Sequence, residues 1–175
     1  CRSPVILEFH AEMTFRFIGK SLPRTEDLRL VRGLGRYTAD LAPAAIERGQ
    51  SLDLQAPAPA PIEADEALAG VLLRNLLDNA SRYSPAGATL RAEVAARKGQ
   101  VVLVIEDSGP GLEPADLDRL GQRFFRVLGQ ESPGSGLGWS IVRRIAATQG
   151  ATVEVSRSGA LGGLKVQVSW PLAGG

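Results

Sequence analysis

The stretch from Ala88 to Gly111 limits the fold more than any other part of the sequence. Ala88–Arg97 and Val101–Asp107 read as strands, and Lys98-Gly99-Gln100 between them reads as a hairpin turn. After Asp107, two glycines around Pro110 force a sharp turn that lets another molecule approach the backbone. Further strands are expected at Ser51–Gln55, Ala151–Ser156 and Gly163–Trp170. Between them lie helical patterns. Thr25 can cap a helix over Glu26 to about Arg48, ended by Gly49, and Asp65 caps a second helix that runs to about Tyr83 and stops at Ser84-Pro85-Ala86-Gly87. A short helix follows from Pro114 to about Gly121, and another from Leu137 to Gln149. Ala56-Pro-Ala-Pro-Ala-Pro61 is a stiff connector, and Gln122–Ser135 has little periodicity. Strands of one antiparallel sheet alternating with a few helices predict a two-layer α/β sandwich.

The rest of the composition narrows what such a domain can do. A chain of 175 residues with 44% hydrophobic side chains is expected to form one domain with a core that needs no disulfide or structural metal. One Cys and one His exclude an internal disulfide, a Cys-rich zinc site and any chemistry that needs two histidines. With 20 basic against 19 acidic residues there is no broad footprint for nucleic acid, and no apolar run approaches the roughly 20 residues of a membrane-spanning helix. The only Cys, His and Met and three of the five Phe fall within the first seventeen positions. Residues 1–23 are therefore expected to be a tag or the remnant of a preceding segment, and residues 24–175 the folded domain.

Three local patterns carry candidate chemistry. On the helix after Asp65, Asn75 and Asn79 project between Val71 and Leu72, inside the apolar arc. A buried carboxamide without a partner costs roughly 1–3 kcal/mol. Backbone carbonyls or water can satisfy one such Asn; two a turn apart suggest a polar floor under a ligand, where amide oxygens coordinate a hard cation and amide nitrogens donate to phosphate. Second, Asp107 sits at the end of its strand, before the Gly109-Pro-Gly111 turn, where it can accept from an amino group such as that of adenine. A plain Asp turn has the same pattern. Third, Gly134-Ser-Gly136-Leu-Gly138 leads into a helix, whose N-terminal amides and dipole favour phosphate. It is neither a P-loop nor a dinucleotide fingerprint.

In this order the patterns resemble the catalytic and ATP-binding domain of bacterial sensor histidine kinases, in the superfamily that includes gyrase-type ATPases, Hsp90 chaperones and MutL. The N box is Asn75-Leu-Leu-Asp-Asn79-Ala-Ser-Arg-Tyr83, the first Gly box Glu106-Asp-Ser-Gly-Pro-Gly-Leu112, the F box Arg123-Phe-Phe-Arg126 and the second Gly box Gly134-Ser-Gly-Leu-Gly-Trp-Ser-Ile-Val142. The resemblance covers about Arg24 to Leu172. It implies the Bergerat ATP-binding fold, an α/β sandwich whose mixed sheet of about five strands is covered on one face by about three helices.

The resemblance also implies the site. Asp107 would accept from the adenine amine, with Gly109 and Gly111 leaving room for the base. Asn79 would hold Mg²⁺, with Asn75 lining the same face. Arg82 and Tyr83 would flank the phosphates and sugar. Residues Gln122 to Ser135 would form a mobile lid, with Phe125 anchoring it and Arg126 meeting the γ-phosphate, and Gly134, Ser135, Gly136, Leu137 and Gly138 would hold the phosphate chain. Trp139 departs from the family's usual smaller aliphatic residue and is expected to pack under the lid or against the sheet.

By the same resemblance, ATP with Mg²⁺ would donate its γ-phosphoryl group to a His on a dimeric hairpin outside this sequence, for relay to a response regulator. Phe9-His-Ala-Glu-Met-Thr-Phe15 does not match the family's phosphoacceptor motif, so His10 is read as a tag or surface residue. The domain would be a soluble monomer on its own and the cytoplasmic part of a bacterial inner-membrane homodimer, with no nucleic acid partner. A gyrase-type ATPase is the first alternative, disfavoured by Asn rather than Glu at position 75. An anti-sigma-like serine kinase is the second, disfavoured by the Arg-Phe-Phe-Arg pattern.

Overall fold

The computed structural model describes residues 15–17, 45, 47–55, 62, 64–117, 119–120 and 137–172. Six strands form one sheet: β1 (Phe15–Phe17), β2 (Ser51–Gln55), β3 (Thr89–Arg97), β4 (Gln100–Asp107), β5 (Thr152–Arg157) and β6 (Leu164–Pro171). Their order is β1-β2-β3-β4-β6-β5. Among the described residues three helices with full bounds accompany them: α1 (Glu66–Tyr83), α2 (Pro114–Leu117) and α3 (Gly138–Thr148).

The expected hairpin is present. Lys98 (φ 49°) and Gly99 (φ 76°) both take positive φ, the turn that matches strand twist, and Arg97 faces Gln100 across it. The sheet is mixed and not wholly antiparallel: β2 runs parallel to β3, with Leu52 beside Leu90. Helix α1 lies between these strands in sequence, which gives the chain the long connection that parallel pairing requires. The other neighbours pair antiparallel. The five expected strands are joined by a sixth, β1, which pairs Phe15 with Leu54 and lies within the stretch set apart in the sequence. Of the expected helix Glu26–Arg48, only residues 45 and 47 are described as helical; the rest lies outside the described residues. The short helix ends at Leu117, earlier than the expected Gly121, and buries none of its residues.

Helix α1 starts where Asp65 Oδ1 accepts from Leu68 N at 3.0 Å. Its face of Leu72, Leu73, Leu76, Leu77 and Ala80 is buried with Val142, Ile145 and Ala146 of α3. The two helices pack on each other and on the inner face of the sheet, against Leu90, Ala92, Leu103, Ile105, Val166 and Val168. On the outer face, Arg91 lies 3.5 Å from Asp53 and 4.0 Å from Glu106 across one rung of β2, β3 and β4.

The end of α1 is held by side chains from just before β2. Arg48 donates to the carbonyls of Ser81 (2.5 Å) and Ser84 (2.8 Å), and Gln50 Nε2 to those of Ser81 (2.9 Å), Ser84 (3.3 Å) and Pro85 (3.1 Å). These are the orphan carbonyls that any helix leaves at its C-terminus.

Candidate nucleotide-binding site

A cleft opens between α1, the end of β4 and the start of α3. It encloses about 790 Å³ of non-protein space, part of it open to solvent, and is lined by Leu76, Asn79, Tyr83, Ile105, Asp107 and Gly111 among others. Among the described residues most of its wall is aliphatic, and Asp107 is the only charged one that lines it.

Asp107 is the last residue of β4, and strand alternation turns it to the inner face with Leu103 and Ile105. It is 7% exposed. Its Oδ1 accepts from Gly109 N (2.9 Å) and Leu164 N (3.2 Å); among the described residues nothing bonds Oδ2. Burial pushes this carboxyl above the ordinary aspartate range, partly offset by the Leu164 and Gly109 amides, which stabilise the anion. The turn after it is fixed by a reciprocal pair: Ser108 N donates to Thr89 O (3.0 Å) and Thr89 N to Ser108 Oγ (2.8 Å).

Glycine is required around Asp107 by space. A Cβ on Gly109 would stand 2.9 Å from Asp107 Oδ1. One on Gly163 would overlap both Asp107 Oδ1 and Asp107 O, and reach 2.6 Å from Gly109 N. Gly111 takes φ +71°, and a Cβ there would stand 3.4 Å from Gly163 O. The sequence reading missed Gly163 as a site residue. The Gly162-Gly163 pair before a strand was its signal, since such glycines mark close backbone approach.

The two asparagines separate. Asn75 Nδ2 donates to Val71 O at 2.8 Å, the backbone bond that the sequence allowed for one of them, and Asn75 does not line the cleft. Asn79 does, and among the described residues its buried Nδ2 has no hydrogen-bond partner. Gly138, the first residue of α3, sits against both: a Cβ there would be 3.4 Å from Asn75 Oδ1 and 3.5 Å from each polar atom of the Asn79 amide. Helix α3 begins at Leu137 with no side-chain cap. A buried amide lacking a partner, beside an uncapped helix start, fits a site for an anion and a hard cation that the Asn79 amide oxygen can ligate.

Thus the fold brings Asn79, Tyr83, Asp107, Gly109, Gly111 and Gly138 together, with Asn75 and Leu137 at the margin. Arg82 is exposed on the last turn of α1 and does not line the cleft. Phe125, Arg126, Gly134, Ser135 and Gly136 lie outside the described residues, as do the expected lid and His10. Beyond the motifs, the cleft is walled by Leu120, Leu164, Val166 and Trp139. Trp139 both packs on the core and borders the cleft. The Ser84 hydroxyl, 3.3 Å from where a Gly109 Cβ would be, is another buried polar group without a partner among the described residues.

Comparison with known proteins gives a consistent picture. Residues 64–174 match the family described as histidine kinase-, DNA gyrase B- and HSP90-like ATPase. The sensor protein QseC of Salmonella typhimurium is 48% identical over 103 residues, 59% of this chain and 22% of QseC. The chain thus spans about a fifth of that relative's length. Among solved structures, the mycobacterial sensor histidine kinase MprB superposes with a TM-score of 0.69 at 27% identity, over 78% of this chain and 93% of the other. Full-length ShkA, solved in complex with AMPPNP, gives 0.69 at 27% identity over 80% of this chain and 29% of ShkA.

Proposed function

Since the chain belongs to the family of histidine kinase-, DNA gyrase B- and HSP90-like ATPases, we propose that it is the ATP-binding catalytic domain of a sensor histidine kinase and delivers a γ-phosphoryl group to a histidine. The observation that carries the reading is the pairing, in one cleft, of a buried carboxylate that offers a free oxygen with a buried, unpartnered carboxamide at a helix start. Asp107 Oδ2 accepts from the adenine amine while Oδ1 stays fixed by two backbone amides. The aliphatic wall of Leu76, Ile105, Leu164 and Val166 excludes water from the base.

At the other end, Asn79 and the amides that open α3 receive the phosphates, assisted by Arg126 and by Gly134, Ser135 and Gly136. Asn79 would hold Mg²⁺, which, when bound, neutralises charge on the transferring group. The bond between the γ-phosphorus and the bridging oxygen breaks and a bond to the acceptor imidazole nitrogen forms. ADP keeps the electron pair, and the imidazole gives its proton to a base on the acceptor segment. Asp107 is the only carboxylate on the cleft among the described residues, and it is committed to the base, so none of those residues is placed as a base to activate water, and position 75 holds Asn rather than Glu. This favours transfer over the hydrolysis of a gyrase-type ATPase. The acceptor histidine lies on a partner hairpin, and the phosphoryl group passes on to a response regulator. The domain works on the cytoplasmic side of a membrane-bound sensor; among the described residues no helix is long and apolar enough to cross a membrane.

Titration of ATP with and without Mg²⁺ into the wild type and Asp107→Asn tests the reading. Mg²⁺-dependent binding by the wild type and weakened binding by the variant are expected; equal binding by both would sink the adenine assignment.

A further inference from the structure

We propose that Trp139 is a base-stacking contact of the cleft, an aromatic wall for the flat ring of the nucleotide base that adds affinity; this rests on the ATP-binding reading above. Trp139 is the second residue of α3 and lies one turn before Val142, two turns before Ala146, both buried on the face that meets the core. Its ring is half-buried, packs on the core cluster and borders the cleft that holds Asp107.

Its surroundings show what it adds. Asp107 can recognise only the edge of a base, because a carboxylate accepts hydrogen bonds in the plane of the donor. The two faces of the ring need apolar contact, and the lining offers mainly aliphatic side chains, with Tyr83 and Trp139 as the aromatic ones. Every base has a π-face, so a base gains by stacking on an aromatic side chain.

The second tryptophan provides the contrast. Trp170 is 5% exposed, and its Nε1 donates to Gln149 Oε1 at 3.2 Å, which ties the last strand to the end of α3. The Trp139 indole N–H makes no hydrogen bond among the described residues and is not enclosed. Trp170 is thus spent on the fold, whereas Trp139 is partly exposed and borders the cleft.

The test measures ATP and ADP affinity by calorimetry, and indole emission, for the wild type, Trp139→Leu and Trp139→Phe, with Asp107→Asn alongside. Nucleotide is expected to quench wild-type emission, with Trp170 as constant background. Trp139→Leu is expected to weaken ATP and ADP by the same factor, roughly tenfold, because the contact is with the ring and not the phosphates. Trp139→Phe, which keeps an aromatic face, is expected to recover most of the loss. ATP binding by Trp139→Leu at wild-type strength, or no recovery with Phe, overturns the assignment. If Asp107→Asn loses ATP while Trp139→Leu keeps it, only the role of Trp139 falls. If the wild type binds no ATP, the functional reading falls with it.

Discussion

Gly163 is packed against Asp107 so closely that no side chain fits between them: Gly163 N donates to Asp107 O at 3.1 Å, and a Cβ would overlap the carboxylate it borders. The obstructing atoms include backbone of β4 and of the turn after it, which cannot swing aside as a side-chain tip would. Gly163→Ala should therefore move the start of β6 away from β4, stretch the Leu164 bond to Asp107 and cost about 1–3 kcal/mol of stability. ATP affinity should fall by more than tenfold. Thermal unfolding and an ATP titration on the same sample check both.

Acidity at Asp107 gives a prediction in two opposite directions. Burial holds its folded-state pKa above the unfolded value. The carboxyl therefore stabilises the fold below the unfolded pKa, and that contribution is lost as pH rises through the raised folded value. Nucleotide binding has the reverse slope, since the adenine amine needs an unprotonated acceptor. ATP affinity should decline on acidification while the pH is still above the ordinary aspartate value of about 3.9. Over the same window the ligand-free wild type should lose stability relative to Asp107→Asn as pH rises. Melting temperatures of both proteins, and ATP titrations of the wild type, across about pH 4 to 7 decide it.

Much of this arrangement was legible in local sequence because local chemistry fixes it. The Lys98-Gly99 turn sets the β3–β4 register and Asp65 sets the start of α1, whereas the arc expected to bury Asn75 and Asn79 is only half buried: Leu72 faces the core while Val71 is 43% exposed and Asn75 lies on that open edge. What local patterns could not reveal depends on partners far along the chain. Gly163 matters only because β6 pairs with β4 so that Lys165 faces Glu106. The parallel pairing of β2 with β3 depends on how α1 crosses the sheet. Both asparagines looked alike on the helix. They differ because Asn75 can turn back to Val71 O while Asn79 faces the cleft. Strand β1 lies in a stretch whose composition pointed away from the fold.

Gln50 and Ser81 form a second buried relationship that reaches the site indirectly. Ser81 Oγ donates to Gln50 Oε1 at 2.7 Å while Gln50 Nε2 donates to Ser81 O, and both residues are buried. Gln50→Leu strips the buried Ser81 hydroxyl of its acceptor and leaves the Ser81 and Ser84 carbonyls with Arg48 alone as side-chain donor and Pro85 O with the long bond from Ala88 N. It should cost about 2–3 kcal/mol, more than Ser81→Ala at about 1 kcal/mol. The pair is coupled, so the double variant should lose less than the sum of the two. Denaturant unfolding of the four proteins closes the cycle. Because Tyr83 O and Ser84 Oγ border Gly109, Gln50→Leu should also weaken ATP binding several-fold.

Asn79 separates function from stability most sharply. Its buried Nδ2 has no partner among the described residues, so the fold bears the cost of desolvating it without a compensating bond from them. Leu has the same branched heavy-atom skeleton and no polar atom, and its greater bulk can extend toward the cleft that the neighbouring Leu76 and Ala80 already line. Asn79→Leu should leave unfolding free energy unchanged or raise it by about 1 kcal/mol. The same change should remove the Mg²⁺-dependent part of ATP affinity, since a hard cation gains nothing from a hydrocarbon. Binding measured with Mg²⁺ and with chelator should therefore converge in the variant and differ in the wild type. A variant that loses stability and keeps the Mg²⁺ effect would show that the amide serves the core and not the ligand.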